Sequence, residues 1–208
     1  MFLEATMKIL LSAVIAYVLG SVSFSIFLSK SLFRKDVREG GSGNSGDTNM
    51  ARSFGKLAGA LTLLGDMLKT ALAVVIGKYL AGDWGIIVAC ICCQLGHCFP
   101  AYHGFKGGKG VAVGLAISVV VGWQVTVCIL IVFILTAVLT KKISLASILA
   151  TFSAIPAVWF VTSDRRYFWM TLIAASIIIF RHHENISRLI RGEEKDFHFA
   201  RKDQKGKG

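Results

Sequence analysis

Carboxylates are in short supply in this chain, and so are the signs of a soluble or secreted fold. The 208 residues carry 12 Asp plus Glu against 23 Lys plus Arg, a formal net charge of +11. Five cysteines, an odd number, with Cys90, Cys92, Cys93 and Cys98 crowded into one apolar stretch and Cys128 alone, exclude a disulfide framework. Their reading is as small apolar residues in a buried helix, in preference to a metal site beside His97. Strict polar–apolar alternation is missing, which leaves helices rather than strands to cross a bilayer. Aromatic–basic interleaving and recognition motifs are missing as well, so the positive charge does not point to nucleic acid. No internal repeat is visible.

What is present is hydrophobic residue, 54% of the chain, with a mean hydropathy of +0.64. That places it among integral membrane proteins. Apolar runs occupy 7–32, 56–80, 84–98, 111–139, 143–161 and 167–180. The first resembles a signal sequence behind Lys8, but it exceeds the roughly 7–15 residues of a signal core and lacks a clear cleavage site. We read it as a retained transmembrane helix. Turns are expected at Gly82-Asp83, Lys141-Lys142 and 163–166.

Three polar segments interrupt the runs: GGSGNSGDTNMAR (40–52), GFKGGKG (104–110) and RHHENISRLIRGEE (181–194). In the first, glycines permit positive φ and close backbone approach, so successive N–H groups can face an anion. A helix opening near Met50 adds its dipole, and Arg52 adds a charge-assisted fork. In the second, Lys106 and Lys109 stand among four glycines without Walker A spacing. A topology signal alone would not need those glycines. In the third, His182, Asn185 and Leu189 share one helical face, where His and Asn could polarise a carbonyl or orient a hydroxyl. His97 and His103 flank the second segment as secondary candidates. Asp66 and Lys69, at i and i+3 inside an apolar run, are read as an ion pair or a wall of the site.

If one site uses all three segments, they must face one side of the membrane, and the number of crossings must be odd. The long run 111–139 is the place to split, at Gly122-Trp123-Gln124. Its first piece would be only about 17 Å long as a helix. The expected fold is an all-α, seven-helix transmembrane bundle with some helices short. Lys and Arg concentrate on the segment-bearing face, which puts the N-terminus outside and the C-terminus in the cytoplasm. One catalytic domain is expected over 1–194, with a charged, disordered tail over 195–208.

In this order, GSGN-G-TN--R, GFKGGKGVA and RH-EN--RL--GE resemble the acyl-phosphate-dependent glycerol-3-phosphate acyltransferase family of bacterial inner-membrane enzymes, across roughly 9–194. The resemblance implies a seven-helix bundle with a cytoplasmic site. It implies transfer of a fatty acyl group from acyl phosphate to the 1-hydroxyl of sn-glycerol 3-phosphate, giving lysophosphatidate and inorganic phosphate. It implies substrate binding by Ser42, Gly43, Asn44, Thr48, Asn49, Arg52, Lys106, Gly107, Gly108 and Lys109, with His182 and Asn185 at the reacting centre and Glu194 ordering the loop. No metal and no cofactor are expected. The partners implied are the two substrates, the bilayer and an acyl-phosphate-forming enzyme. Ser45 and Asp47 depart from the family's usual Pro and Ala. The HxxxxD pair of other acyltransferases is lacking in the body of the chain; one such string, His198 to Asp203, falls in the charged tail. A membrane anion transporter is the alternative from a different class, although transporters show symmetric halves and midplane sites.

Overall fold

The computed structural model describes residues 2–198 and is all-helical over them. The helices are α1 (Phe2–Gly20), α2 (Phe24–Phe33), α3 (Asp47–Phe54), α4 (Lys56–Cys98), α5 (Val111–Val121), α6 (Trp123–Thr140), α7 (Ile143–Val161), α8 (Arg165–Arg181) and α9 (His183–Ile190). Single 3-10 turns lie at Val37–Glu39 and Ala101–His103. By length and composition, four helical segments can cross a membrane: Phe2–Phe33, Lys56–His103, Trp123–Thr140 and Ile143–Val161. Large apolar side chains stand exposed along them, among them Leu68, Ile131, Val138 and Phe160. Such a surface suits lipid contact and not water.

Glycines set the turns and the closest packing. Helix α4 is two arms, because Ala81 and Gly82 leave helical geometry, Gly82 at φ 60°. Gly77 and Gly85 would lie about 12 Å apart along a straight helix. Here a Cβ on Gly77 would stand 2.9 Å from the Ala89 Cβ and against the Gly85 carbonyl, so the second arm folds back on the first. The second arm runs alongside α1. Ser12 Oγ donates to the Gly85 carbonyl at 3.3 Å, and a Cβ on Gly20 would stand 2.9 Å from the Cys93 Cα. Both pairings ascend together, so the two helices are parallel. Small residues at this seam, Ala16, Gly20, Ala89, Cys93 and Gly96, let the backbones approach where the hydrophobic effect between helices is weak. All five cysteines are free thiols, three of them buried here.

The expected helix 7–32 is broken. Ser21 and Val22 leave the helix, and Ser23 restarts it by accepting the Ile26 N–H at 3.4 Å. Lys69 Nζ donates to the Val22 carbonyl at 2.6 Å, which satisfies a backbone group freed by the break. Serines compete with helical hydrogen bonding, and an apolar count does not register that. Helix α2 then packs with α3 and the start of α4 around Ile26, Val37, Met50 and Ala58. The run 111–139 splits at Gly122, as its sequence indicates, into α5 and α6. Residues 195–198, assigned to the tail, are tied to the body: the Phe197 N–H donates to the Lys141 carbonyl at 2.8 Å, and Lys142 Nζ reaches Asp196 at 3.2 Å. The rest of that tail, with Asp203, lies outside the described residues.

A leucine at Gly96, where a Cβ would already stand 2.9 Å from the Ser21 nitrogen, has no space. Gly96→Leu should lower stability by about 2 kcal/mol or more, read as an earlier thermal midpoint in detergent. A wild-type midpoint would mean α1 and α4 do not approach this closely.

Candidate active site

The three polar segments meet at one end of the bundle. Asn49, only 1% exposed, holds the first in shape. Its Nδ2 donates to the carbonyls of Val37 (2.9 Å), Gly40 (3.1 Å) and Asn44 (2.9 Å), and its Oδ1 accepts the Ser42 N–H at 2.9 Å. The amide is fully committed, so Asn49 shapes the loop instead of offering a free donor. Gly41 and Gly43 take positive φ, 62° and 70°. A Cβ on Gly41 would fall on the Asn49 side chain. The loop leads into α3, whose first turn has no side-chain cap.

The second segment is pressed against the end of α4. The Gly108 N–H donates to the His97 carbonyl at 3.1 Å, and a Cβ on Gly108 would strike the His97 ring. From the other side Arg181 Nη2 donates to the Gly107 carbonyl at 2.9 Å, and its Nε to the Gly108 carbonyl at 3.2 Å. Arg181 also lies over the Phe99 ring, 5.2 Å from its centroid. Arg181 opens the third segment in sequence, and only the fold shows that its fork points at the second.

The third segment does not form one continuous helix. His182 sits in the break between α8 and α9, yet it is buried beside Asn185. His183 and Glu184 are exposed. His182 Nδ1 is 2.8 Å from the Ile178 carbonyl. A carbonyl can only accept, so Nδ1 carries the proton and Nε2 is left as an acceptor. Burial pushes the His182 pKa down to about 4, with Lys109 adding to the effect against the Ile178 bond. The ring is therefore neutral near pH 7. A neutral ring with a free Nε2 lone pair can hold a hydroxyl proton, but it cannot polarise a carbonyl.

Glu194 gathers the rest. Its Oε1 accepts from Ser144 Oγ (2.6 Å) and Asn185 Nδ2 (2.7 Å), and its Oε2 from Arg188 Nε (2.7 Å). Burial alone would raise its pKa, but these bonds hold it below the usual carboxylate range. The Asn185 Oδ1 accepts in turn from Lys109 Nζ. Burial brings the Lys109 pKa down to about 8.

These groups enclose a polar cavity of about 330 Å³. Ser42, Asn44, Thr48, Asn49 and Arg52 line it from the first segment, Lys109 from the second, His182, Asn185, Arg188 and Glu194 from the third. Asp66 and His97 of α4 form part of the wall. Asp66 is paired with Lys69 at 2.7 Å, and Lys69 is 3.1 Å from His97 Nδ1, so the two form a buried ion pair of which Asp66 also lines the cavity. Lys69 itself stands behind that wall. Arg52 faces the cavity with Phe197 packed 5.8 Å from its guanidinium. A second, more open polar cavity lies across the first loop and shares Ser42, Asn44, Lys109 and Arg188 with it. Gly43, Lys106 and Gly107 line this outer one. Gly108 and His103 line neither cavity. A third cavity, about 240 Å³ and almost wholly apolar, descends between α5, α6, α7 and α8 past Leu115, Ile129, Phe133 and Ala174. It meets the inner polar cavity at Asp47, Val111 and Ser147. Sequence reasoning missed this chamber and the Ser144–Ser147 face; the only signal was small polar residues opening an apolar run. Among the described residues, no group of three or more His, Cys, Asp or Glu side chains is placed to hold a metal ion.

A helical membrane bundle whose basic, glycine-rich pocket opens onto a greasy chamber suits an enzyme that handles anionic lipids. The glycerol-3-phosphate acyltransferase family model matches residues 10–192. A glycerol-3-phosphate acyltransferase of Clostridioides difficile is 39% identical over 189 residues, covering 88% of this chain and 92% of that one. One from Streptococcus thermophilus is 41% identical over 192 residues, covering 88% and 90%. The crystal structure of PlsY (YgiH), an integral membrane glycerol 3-phosphate acyltransferase, superposes in its glycerol 3-phosphate form with a TM-score of 0.85 at 35% identity, covering 91% of this chain and 96% of that one. Its lysophosphatidic acid form gives 0.83 at 34% identity. The chain belongs to the glycerol-3-phosphate acyltransferase family, and is thus a membrane acyltransferase.

With its pKa brought down to about 8, Lys109 loses its charge between pH 7 and pH 9. Sulfate keeps its charge over that range, so its inhibition constant should rise about tenfold across it. Lys109→Arg, charged throughout, should flatten the rise. An equal slope in the two proteins would remove Lys109 from the anion site.

Proposed function

We propose that this enzyme transfers the acyl group of a fatty acyl phosphate to the 1-hydroxyl of sn-glycerol 3-phosphate, releasing lysophosphatidate and inorganic phosphate. The observation that carries the reading is the junction of polar cavity and apolar chamber. A donor with its phosphate among Arg52, Lys109 and Arg188 can lay its chain between α5 and α8. The reacting carbonyl then falls at the junction, near His182. The outer cavity supplies room for a second phosphate beside Lys106. Glycerol 3-phosphate and lysophosphatidic acid are named as the bound forms of the PlsY structures, which supports both ends of the reaction.

Acyl phosphate is already activated, so no covalent acyl-enzyme is needed. The hydroxyl oxygen attacks the carbonyl carbon while His182 Nε2 orients its proton. The C–O bond to phosphate breaks, and phosphate leaves with the electron pair and takes the proton. With a pKa of about 4, His182 is too weak a base to keep that proton. Positioning two anions, and Lys109 near the developing oxyanion, supplies the catalysis. Ser42, Gly43, Asn44 and Thr48 offer hydroxyl, amide and backbone groups to phosphate. Asn49, Gly107, Gly108 and Glu194 hold these groups in place. Asn185 positions Lys109.

For the membrane arrangement, we read α1, the two arms of α4, α5, α6, α7 and α8 as seven crossings. Helix α5 is short and is covered by its neighbours. The distribution of Lys and Arg supports an outside N-terminus, a cytoplasmic C-terminus and a cytoplasmic site in a bacterial inner membrane. The enzyme that forms acyl phosphate is the natural protein partner. Family membership weighs against the transporter reading.

Purified protein in micelles, given dodecanoyl phosphate and glycerol 3-phosphate, should release phosphate and form lysophosphatidate in equal amounts. Release without glycerol 3-phosphate, or no release, overturns the proposal; a transporter would give none. The sidedness is checked separately with Ser42→Cys, Lys106→Cys and Glu193→Cys in a cysteine-free background. All three should react with an impermeant maleimide only in inverted vesicles. Labelling of any one of them from the outer face would refute the arrangement.

A further inference from the structure

The chain does not leave the bundle where α9 ends. Residues 193–198 form no helix, yet they are pinned to three elements that wall the inner polar cavity. Glu194 is held by Ser144 of α7 and by Asn185 and Arg188 of α9. Lys142 Nζ, at the start of α7, donates to the Glu194 carbonyl at 2.6 Å and to Asp196 at 3.2 Å, while the Phe197 N–H donates to the Lys141 carbonyl at 2.8 Å. The half-buried Phe197 ring then meets the Arg52 guanidinium of α3, 5.8 Å from its centroid. The segment is thus a strap from α9 past α7 to α3. Lys195 lies between its pins and lines the cavity with Arg52, Lys109 and Arg188. Acidic residues flank Lys195 in sequence, but each is engaged elsewhere: Glu193 with Arg191 at 2.8 Å, Glu194 with Arg188 at 2.7 Å and Asp196 with Lys142 at 3.2 Å. Among the described residues no carboxylate makes an ion pair with Lys195. Of the cavity's other carboxylates, Asp66 is taken by Lys69, and burial raises the Asp47 pKa, which favours its uncharged form. Cations gathered around one small cavity repel one another, and a bound phosphate turns that repulsion into attraction.

We propose that Lys195 is a further substrate-binding residue, a cation that holds the phosphate of the acyl donor, and that Phe197 is a positioning residue that keeps the strap, and with it Lys195, at the cavity. The inference rests on the inner cavity holding the donor's phosphate, as argued above. A lysine ammonium on a flexible four-carbon stem can follow that phosphate from substrate to leaving group. It then binds ground state and transition state alike, and its loss shows in KM and not in kcat. Phe197 acts at one remove. Its ring and its backbone N–H fix the far end of the strap, so the ordering of Lys195 costs less when the donor arrives.

The test uses the full chain in micelles at low ionic strength, where exposed charges are least screened. In Lys195→Gln the KM for dodecanoyl phosphate should rise about fivefold, with kcat and the KM for glycerol 3-phosphate within about twofold of wild type. Lys195→Arg should restore the donor KM. Lys35→Gln removes an exposed charge that lines none of the three cavities, and should leave it unchanged. Phe197→Ala should raise the donor KM as well, Phe197→Tyr should not, and the double variant Phe197→Ala/Lys195→Gln should be no worse than Lys195→Gln alone. An unchanged donor KM in Lys195→Gln overturns the inference. So does an equal rise in Lys35→Gln, which would mean a general attraction of the anionic amphiphile, or a rise confined to glycerol 3-phosphate. Effects that multiply in the double variant remove Phe197 as the residue that positions Lys195. Lys195 is exposed, so the outcome stands on Lys195→Gln even if Phe197→Ala does not fold. If wild type releases no phosphate from dodecanoyl phosphate, the proposed reaction falls, and Lys195 is judged on calorimetric binding of inorganic phosphate, where equal affinity in Lys195→Gln and wild type overturns its role.

Discussion

One carboxylate organises this site. Glu194, far from the glycine loops in sequence, collects hydrogen bonds from Ser144 on α7 and from Asn185 and Arg188 on α9. Through Asn185 it reaches Lys109 of the second segment. The Lys142 ammonium closes the same knot by donating to the Glu194 carbonyl at 2.6 Å. Charge-assisted bonds of this kind are roughly twice as strong as neutral ones. The larger consequence is geometric. Neutralising part of the basic cluster from within lets Arg188 and Lys109 stand close together without flying apart, and both still face the cavity. Removing such a partner would leave partly buried cations uncompensated, which costs more than the lost bonds.

The bundle that carries this knot is held by backbone proximity. In a lipid solvent, apolar side chains gain little by burying one another, so helices associate by fitting closely. Gly20, Gly96, Gly77 and Gly85 occupy places where any side chain would strike a neighbouring main chain. Gly107 does the same against the end of α4, and Gly108 makes room there for the His97 ring. Glycine therefore serves two purposes here. At the seams it permits contact, and at Gly41 and Gly43 it permits positive φ. Sequence composition cannot separate the two uses.

That distinction explains what could be read in advance. The helical class was legible from uninterrupted apolar runs, and the breaks at Gly82 and Gly122 from glycine beside polar or aromatic residues. The meeting of the three polar segments followed from asking that one site use them all. The break at 21–23 was not legible from the apolar run alone, because Ser21 and Ser23 stand among apolar residues within 7–32 and interrupt them singly. The engagement of Asn49 was not legible either. An asparagine in a glycine-rich loop looks like a ligand donor, and only the fold shows its four hydrogen bonds closing on the loop itself. The role of Arg181, and Ser144 altogether, escaped for a related reason: each acts on a segment distant in sequence. The apolar chamber is a property of four helices together, and no single helix announces it.

The neutral state of His182 constrains any chemistry proposed for this pocket. Its Nδ1 is spent on the Ile178 carbonyl, and burial beside Lys109 holds its pKa near about 4. A cationic imidazolium in the same place would add to Arg52, Lys109 and Arg188, and would bind phosphate more tightly in substrate and product alike. Uniform tightening of that kind does not speed the chemical step and slows release of an anionic product. A neutral acceptor instead distinguishes a hydroxyl from a phosphate oxygen, since only the hydroxyl brings a proton to share. On the proposed reaction, the histidine thus sorts which end of glycerol 3-phosphate turns toward the carbonyl, and the cations are left to fix the other end.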